Sequence, residues 1–166
     1  MITEFEKQKI QRDVIRKESR LTMIVSLSLL ASIVVYTLIA YLHKGSFLTS
    51  RGVREAWNVL NIISIVLIIV VLAVRKTIYF SPRLVREDFT LTALLKRWRT
   101  IDIVLLSFAE VIALFGLVIT FLGMPFARTF HFFVSAFLLT MILMPIPWKV
   151  KDKLRNFEKY AGKWIS

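Results

Sequence analysis

Four long apolar stretches constrain this chain more than any other feature of its sequence. Each is long enough to cross a hydrocarbon core of about 30 Å, which needs about 20 helical residues. The predicted spans are residues 21–42, 57–74, 101–123 and 126–147. Hydrophobic residues make up 57% of the chain, above the roughly 45–50% that is usual in soluble domains. The sequence therefore predicts an all-α, integral membrane four-helix bundle.

The connections predict that this bundle consists of two antiparallel hairpins. Only a short turn, Gly123 to Phe126, separates the third span from the fourth, so these two must form one of the hairpins. Residues 1–20 form a basic N-terminal segment that we expect to continue the first span as a solvated helix, with a docking arm as the alternative. The first span lacks a following small-residue cleavage site, and we expect it to be retained.

The basic residues alternate along the chain in a way that predicts topology. Six Lys and Arg residues precede the first span, seven lie in residues 75–100 and six follow the last span, against three in the first connection and Arg128 alone near the second turn. By the positive-inside rule, both termini are cytoplasmic, and we expect a prokaryotic inner (cytoplasmic) membrane. The net charge of +12 does not predict a nucleic-acid partner, because no folded cytoplasmic domain presents aromatic platforms.

Two cytoplasmic segments have the pattern of amphipathic helices. In the second loop, a break at Tyr79 to Pro82 precedes Asp88, which we expect to cap a short surface helix. Its apolar face would contain Leu91, Leu94, Leu95 and Trp98. The basic tail, residues 148–166, repeats apolar residues at helical spacing. Its stripe is Val150, Leu154, Phe157, Ala161 and Trp164. We expect the tail to bind anionic inner-leaflet lipids or a partner.

Glu110 is the one acidic residue deep inside a predicted span. An acidic side chain costs about 2.5–3.5 kcal/mol at a helix centre on insertion scales, so its presence is a functional hypothesis by default. Small residues on the neighbouring strip of the same helix predict close packing of another helix. That strip contains Ala109, Ala113, Gly116 and Thr120.

The candidate ion or proton site groups Glu110 with nearby neutral polar residues. Ser107 flanks Glu110 on the same helix, and an antiparallel second span would offer Ser64 at the same depth, with Asn61 one turn further out. Burial among neutral groups favours a protonated acid that can donate a hydrogen bond. Three roles stay open: hydrogen bonding between helices, proton or cation carriage, and subunit contact.

The remaining polar and aromatic residues predict no cofactor. Asp102 is expected to cap the third span, and His131, near an outer helix end, to bond a carbonyl or a lipid headgroup. Haem ligation would need a second His, and His43 lies in the outer loop. The aromatic residues near span ends predict an interfacial belt. They are Trp57, Trp98, Trp148, Tyr36 and Tyr41.

Residues Ala109 to Val118 resemble the ion-binding helix of the c-type proteolipids of rotary ATP synthases. The shared pattern is an Ala-Glu pair followed by small residues, an aromatic residue and Gly-Leu-Val. In that family the carboxylate helix also rises from the cytoplasmic side. The resemblance implies that Glu110 takes up and releases a proton or binds sodium.

These patterns favour a protein that is not an enzyme. The spans contain no set of nucleophile, base or metal ligands, and the chain has no cysteine, which excludes thiol chemistry. We expect a small accessory or scaffold subunit of a larger membrane assembly, with membrane lipids and other subunits or further copies as partners. The alternative is a proton- or sodium-carrying subunit that uses Glu110. A carrier needs a route from Glu110 to water, whereas a scaffold does not.

Overall fold

The computed structural model describes residues 4–43, 51–79 and 91–144, and every secondary-structure element in them is a helix. The four helices are α1 (Glu4–Leu42), α2 (Arg51–Tyr79), α3 (Leu91–Phe121) and α4 (Phe126–Leu143). Each is long and apolar enough to cross a membrane. The architecture is therefore a bundle of four helices, and the predicted amphipathic tail lies outside the described residues.

Three helices begin earlier than the predicted spans, and one of them is α2, which begins at Arg51 instead of residue 57. α1 runs without interruption from Glu4, so it includes most of the basic N-terminal segment. α3 begins at Leu91, so the residues expected to form a surface helix running into the third span are its first turns, where Leu95 and Trp98 are buried. No proline and no glycine interrupt α3 before Gly116. Asp102 consequently lies inside this helix, and its predicted capping role was wrong.

α4 ends before the predicted limit at residue 147. Met144 follows the helix with φ −53° and ψ 121°, an extended conformation that steric contact with a following proline favours. Residue 145 is that proline. The helix therefore ends at Leu143, because the proline at position 145 favours an extended conformation at Met144.

The turn between α3 and α4 is a glycine-terminated helix end. Gly123 has φ 101°, its N–H donates to the Thr120 carbonyl, and the Met124 N–H donates to the Ile119 carbonyl. This pair of bonds is the Schellman arrangement, which places a glycine in the left-handed region. Pro125 follows Met124 and is the N-cap residue of α4. The predicted hairpin of the third and fourth spans is therefore present.

α3 is the central helix, because it packs against all three of the others. α1 also packs against α4, but α1 and α2 share almost no contact. The prediction that the first two helices form a second packed hairpin was therefore wrong. Small residues favour close packing between membrane helices, and α3 supplies them: Ala109, Ala113, Gly116 and Thr120 are fully buried.

We expect Gly116→Ala to destabilise the bundle. A Cβ at this position would lie 2.8 Å from the Phe132 Cβ and 3.1 Å from the Phe133 Cζ, and such overpacking costs about 1–3 kcal/mol. Gly52→Ala is the matched control, because Gly52 is exposed on α2 and alanine is favoured in helices by about 1 kcal/mol. Unfolding free energies in detergent should therefore fall for Gly116→Ala and not for Gly52→Ala. An unchanged or raised stability of Gly116→Ala would contradict this packing.

Candidate functional site

The deep carboxyl of Glu110 is held by a hydroxyl from another helix. The Tyr36 hydroxyl on α1 donates a hydrogen bond of 3.2 Å to Glu110 Oε1 on α3. Nearer the ends of the same helices, the His43 and Phe121 rings are 4.8 Å apart. Because later residues of α1 meet later residues of α3, the two helices run parallel. Tyr36 and Glu110 are both half-buried, so they lie at the edge of the seam between these helices.

The second carboxyl oxygen of Glu110 has no hydrogen-bond partner among the described residues. Oε2 makes no hydrogen bond within the described part of the chain, and it does not belong to the buried polar atoms that lack a partner. It is therefore reachable from outside the bundle. A carboxyl held through one oxygen and open at the other can accept a hydrogen bond, carry a proton or contribute a cation ligand.

Serine hydroxyls continue this polar edge toward the first residues of α1 and α3. Ser107 lies three residues before Glu110, and Ser32 and Ser28 lie four and eight residues before Tyr36, so each shares a helix face with the pair. Ser28 and Ser107 are exposed. We call these five residues the Glu110 face: Ser28, Ser32, Tyr36, Ser107 and Glu110.

The Glu110 face lies within an apolar surface. On α3, the exposed fractions of Val104, Leu114 and Val118 are 50%, 36% and 49%. Ser107 donates to the Ile103 carbonyl at 3.0 Å, which satisfies its proton within its own helix and leaves its oxygen as an acceptor. Glu110 therefore presents its open oxygen among side chains that cannot bond it.

The structure does not join Glu110 to the second span. Ser64 is buried on α2, but its hydroxyl has no hydrogen-bond partner in the described residues. Asn61 is half-buried one turn away and makes no side-chain bond to Glu110. The predicted pairing with Ser64 or Asn61 was therefore wrong, because α1 and α2 pack on α3 while hardly touching each other, and the partner of Glu110 comes from α1.

Sequence reasoning missed Tyr36 because it assigned this residue to the interfacial belt. Tyr36 lies six residues before the end of α1, whereas Glu110 lies eleven before the end of α3. Counted from the helix ends, the two residues differ in depth by about 7 Å at 1.5 Å per residue. The length of the tyrosine side chain and the offset of the helices remove that difference. The only feature of the sequence that could have indicated Tyr36 is its distance from the helix end, because a tyrosine hydroxyl at that depth needs a hydrogen-bond partner.

The small-residue strip on α3 lies on the packed side of that helix. Gly116 meets Phe132 and Phe133 of α4, and the Thr120 and Thr129 hydroxyls are 2.8 Å apart. This contact is a hydrogen bond between buried side chains of α3 and α4. The strip therefore positions α4, while Glu110 lies at the edge of the seam between α1 and α3.

The described residues contain no group of three or more His, Asp or Glu side chains that could hold a metal ion. The polar chemistry at Glu110 consists of one carboxyl, one phenol and neighbouring hydroxyls. This set suits hydrogen bonding, proton exchange or weak coordination of a monovalent cation.

Comparisons with protein-family models, with curated proteins and with solved structures found no match. The resemblance of Ala109 to Val118 to c-type proteolipids stays a prediction from ten residues.

We expect Tyr36 and Glu110 to be energetically coupled. Hydrogen bonds between membrane helices average about 0.6 kcal/mol in double-mutant cycles, with a maximum of about 1.7. A cycle of Tyr36→Phe and Glu110→Leu, read from unfolding free energies in detergent, should give a coupling in that range. Tyr41→Phe is the matched control on the same helix, because Tyr41 is 66% exposed and packs on the Phe126 ring. If Tyr36→Phe and Tyr41→Phe showed equal coupling free energies with Glu110→Leu, the hydrogen bond between Tyr36 and Glu110 would be contradicted.

Proposed function

We propose that this chain is a small multi-pass membrane protein and a non-enzymatic accessory or scaffold subunit of a larger assembly, which it joins through the Glu110 face. The observation that carries the proposal is the open Oε2 of Glu110 at the surface of an apolar helix pair. Polar groups exposed to lipid are costly and face protein or water in membrane proteins. A neighbouring helix with a hydrogen-bond donor would cover this oxygen.

The surroundings of Glu110 support subunit contact over a sealed internal role. A residue that only joined helices within the bundle would be enclosed between them, whereas Glu110 is half-buried at an edge. The exposed serines on either side are small, so they permit a partner helix to approach closely. The partner is another subunit or a second copy of the chain.

The charge pattern supports the orientation in which this subunit lies. Arg16 and Arg20 on α1 and Lys96 and Arg97 on α3 gather basic residues at one end of the bundle. Under the positive-inside rule this end is cytoplasmic, as are both termini, and the membrane is a prokaryotic inner membrane. The basic segments at this end would bind anionic lipids of the inner leaflet.

Cross-linking from single cysteines tests the docking face, because the chain has no cysteine of its own. We expect a benzophenone probe on Ser107→Cys, beside Glu110, to give a discrete adduct in native membranes. Ile69→Cys is the matched control, because Ile69 is 60% exposed on α2 and lies away from this face. Adding Glu110→Leu should reduce the Ser107 adduct several-fold. Equal adducts at both positions, or a Ser107 adduct indifferent to Glu110, would contradict the proposal.

Proton or sodium carriage is the second candidate function, and the same open oxygen favours it. Oε2 is reachable from outside the bundle, and exposed hydroxyls at Ser107 and Ser28 extend toward the cytoplasmic end in the proposed orientation. Hydroxyls can support a chain of water molecules to a carboxyl. Carriage would use Tyr36 as the group that holds Glu110 in place.

Carbodiimide labelling of Glu110 in native membranes distinguishes the two functions. For a carrier we expect labelling that changes between pH 5 and pH 9 or is blocked by sodium, because the acid exchanges its proton or cation. Mass spectrometry of the labelled peptide gives the readout, with Glu110→Gln as the blank. Absence of labelling at every pH, in a protein whose Glu110→Gln variant still folds and assembles, would contradict carriage.

A further inference from the structure

A second polar site lies between α2 and α4, at the ends where both helices begin. The Trp57 and His131 rings are 6.0 Å apart at an interplanar angle of 86°, and Trp57 Nε1 donates to the Arg128 carbonyl at 3.3 Å. These contacts place Trp57 and His131 at the same level. Because both helices begin at this end, residues at equal distances from the ring pair lie at similar levels on each.

One turn further out, this register brings two arginines together. Arg54 precedes Trp57 by three residues, and Arg128 precedes His131 by three, so each shares a helix face with a ring of the pair. Both arginines are exposed, and neither side chain makes an ion pair or hydrogen bond in the part of the chain that the structure describes. Each helix therefore carries, at a similar level, one arginine without an acidic partner in the described residues.

One turn further in, the two helices offer neutral polar groups. Asn61 follows Trp57 by four residues and Ser135 follows His131 by four, and both are half-buried. The buried atoms His131 Nε2 and Ser64 Oγ have no hydrogen-bond partner among the described residues. An unpaired buried polar group costs about 1–3 kcal/mol. The predicted bond of His131 to a carbonyl is absent from the described residues.

The next turn of α2 is apolar and exposed. Ile65 follows Asn61 by four residues and is 52% exposed. From the helix ends inward, the order is therefore two cations, two rings, neutral polar groups and an apolar side chain. We call this set the α2–α4 site. Its members are Arg54, Trp57, Asn61, Ile65, Arg128, His131 and Ser135.

We propose that the α2–α4 site binds the headgroup of an acidic phospholipid. The guanidinium groups of Arg54 and Arg128 match phosphate in charge and geometry. The glycerol ester region lies below the phosphate and meets the donors of Asn61 and Ser135. The acyl chains then follow Ile65 into the apolar layer. A rise of about 5 Å per helical turn separates these layers.

This proposal rests on the four-span placement proposed above and is independent of the Glu110 face. In the proposed topology the site lies at the outer leaflet, so it is separate from the basic cytoplasmic segments. Arg51 provides an internal comparison, because it lies in the same first turn of α2 but pairs with Glu55 at 2.9 Å. Arg51 therefore carries the same charge without belonging to the site.

Native mass spectrometry of the full chain in detergent micelles tests the site, since a micelle of neutral detergent has no leaflet potential. The probes are phosphatidylglycerol, phosphatidylcholine and inorganic phosphate. We expect phosphatidylglycerol to bind more tightly than phosphatidylcholine. Arg128→Gln should weaken phosphatidylglycerol binding about tenfold, as loss of a bond to a charged group does. Arg51→Gln should change it less than twofold, with thermal unfolding confirming that both variants fold.

Four results would overturn the proposal. Equal weakening by Arg128→Gln and Arg51→Gln would mean attraction by net charge alone. Inorganic phosphate that binds as tightly as the lipid, and is lost in Arg128→Gln, would assign the site to a free anion. Equal binding of both lipids to the wild-type chain would contradict the headgroup site and leave the membrane placement intact. Failure of the wild-type chain to bind either lipid would contradict both.

Discussion

Close approach of α4 to α3 is the contact on which the rest of the bundle depends. Lipid is as apolar as the helix surfaces, so membrane helices associate through van der Waals packing and hydrogen bonds between helices. Gly116 lets the Phe132 Cβ and the Phe133 ring come close, and the Thr120–Thr129 bond joins the same two helices nearer the turn. In agreement with a central position, 44% of the most apolar part of α3 is buried, against 11% in α2.

The peripheral position of α2 determines how polar groups are distributed. Because α2 packs on α3 without reaching α1, the carboxyl of Glu110 meets a phenol from α1, and the polar residues of α2 face α3 and α4 instead. Two separate polar regions result, one at the α1–α3 edge and one at the beginning of α2 and α4. The first has a single acidic group with an open oxygen, and the second has two unpaired cations. A carboxyl and a pair of guanidinium groups fit different ligands.

Most hydroxyls in the spans are satisfied locally. Ser26, Thr37 and Thr140 each donate to the carbonyl four residues earlier, which removes the need for a partner on another helix. Tyr36 cannot reach its own backbone in this way, so its hydroxyl is free to hold Glu110. The Ser64 hydroxyl bonds neither to the backbone of its own helix nor to another helix in the described residues. Of these two exceptions, Tyr36 belongs to the Glu110 face.

The sequence by itself determined the helical class, the four apolar elements and the α3–α4 hairpin. Apolar length, the glycine at the turn and the proline after α4 act locally, so they can be read from neighbouring residues. Glu110 was also recognisable, because a carboxyl in an apolar run is costly wherever the helix packs. Only the tertiary structure decided that its partner is Tyr36 and not Ser64. Helix neighbours and axial offsets depend on side-chain packing between segments far apart in the chain, which short-range patterns do not encode.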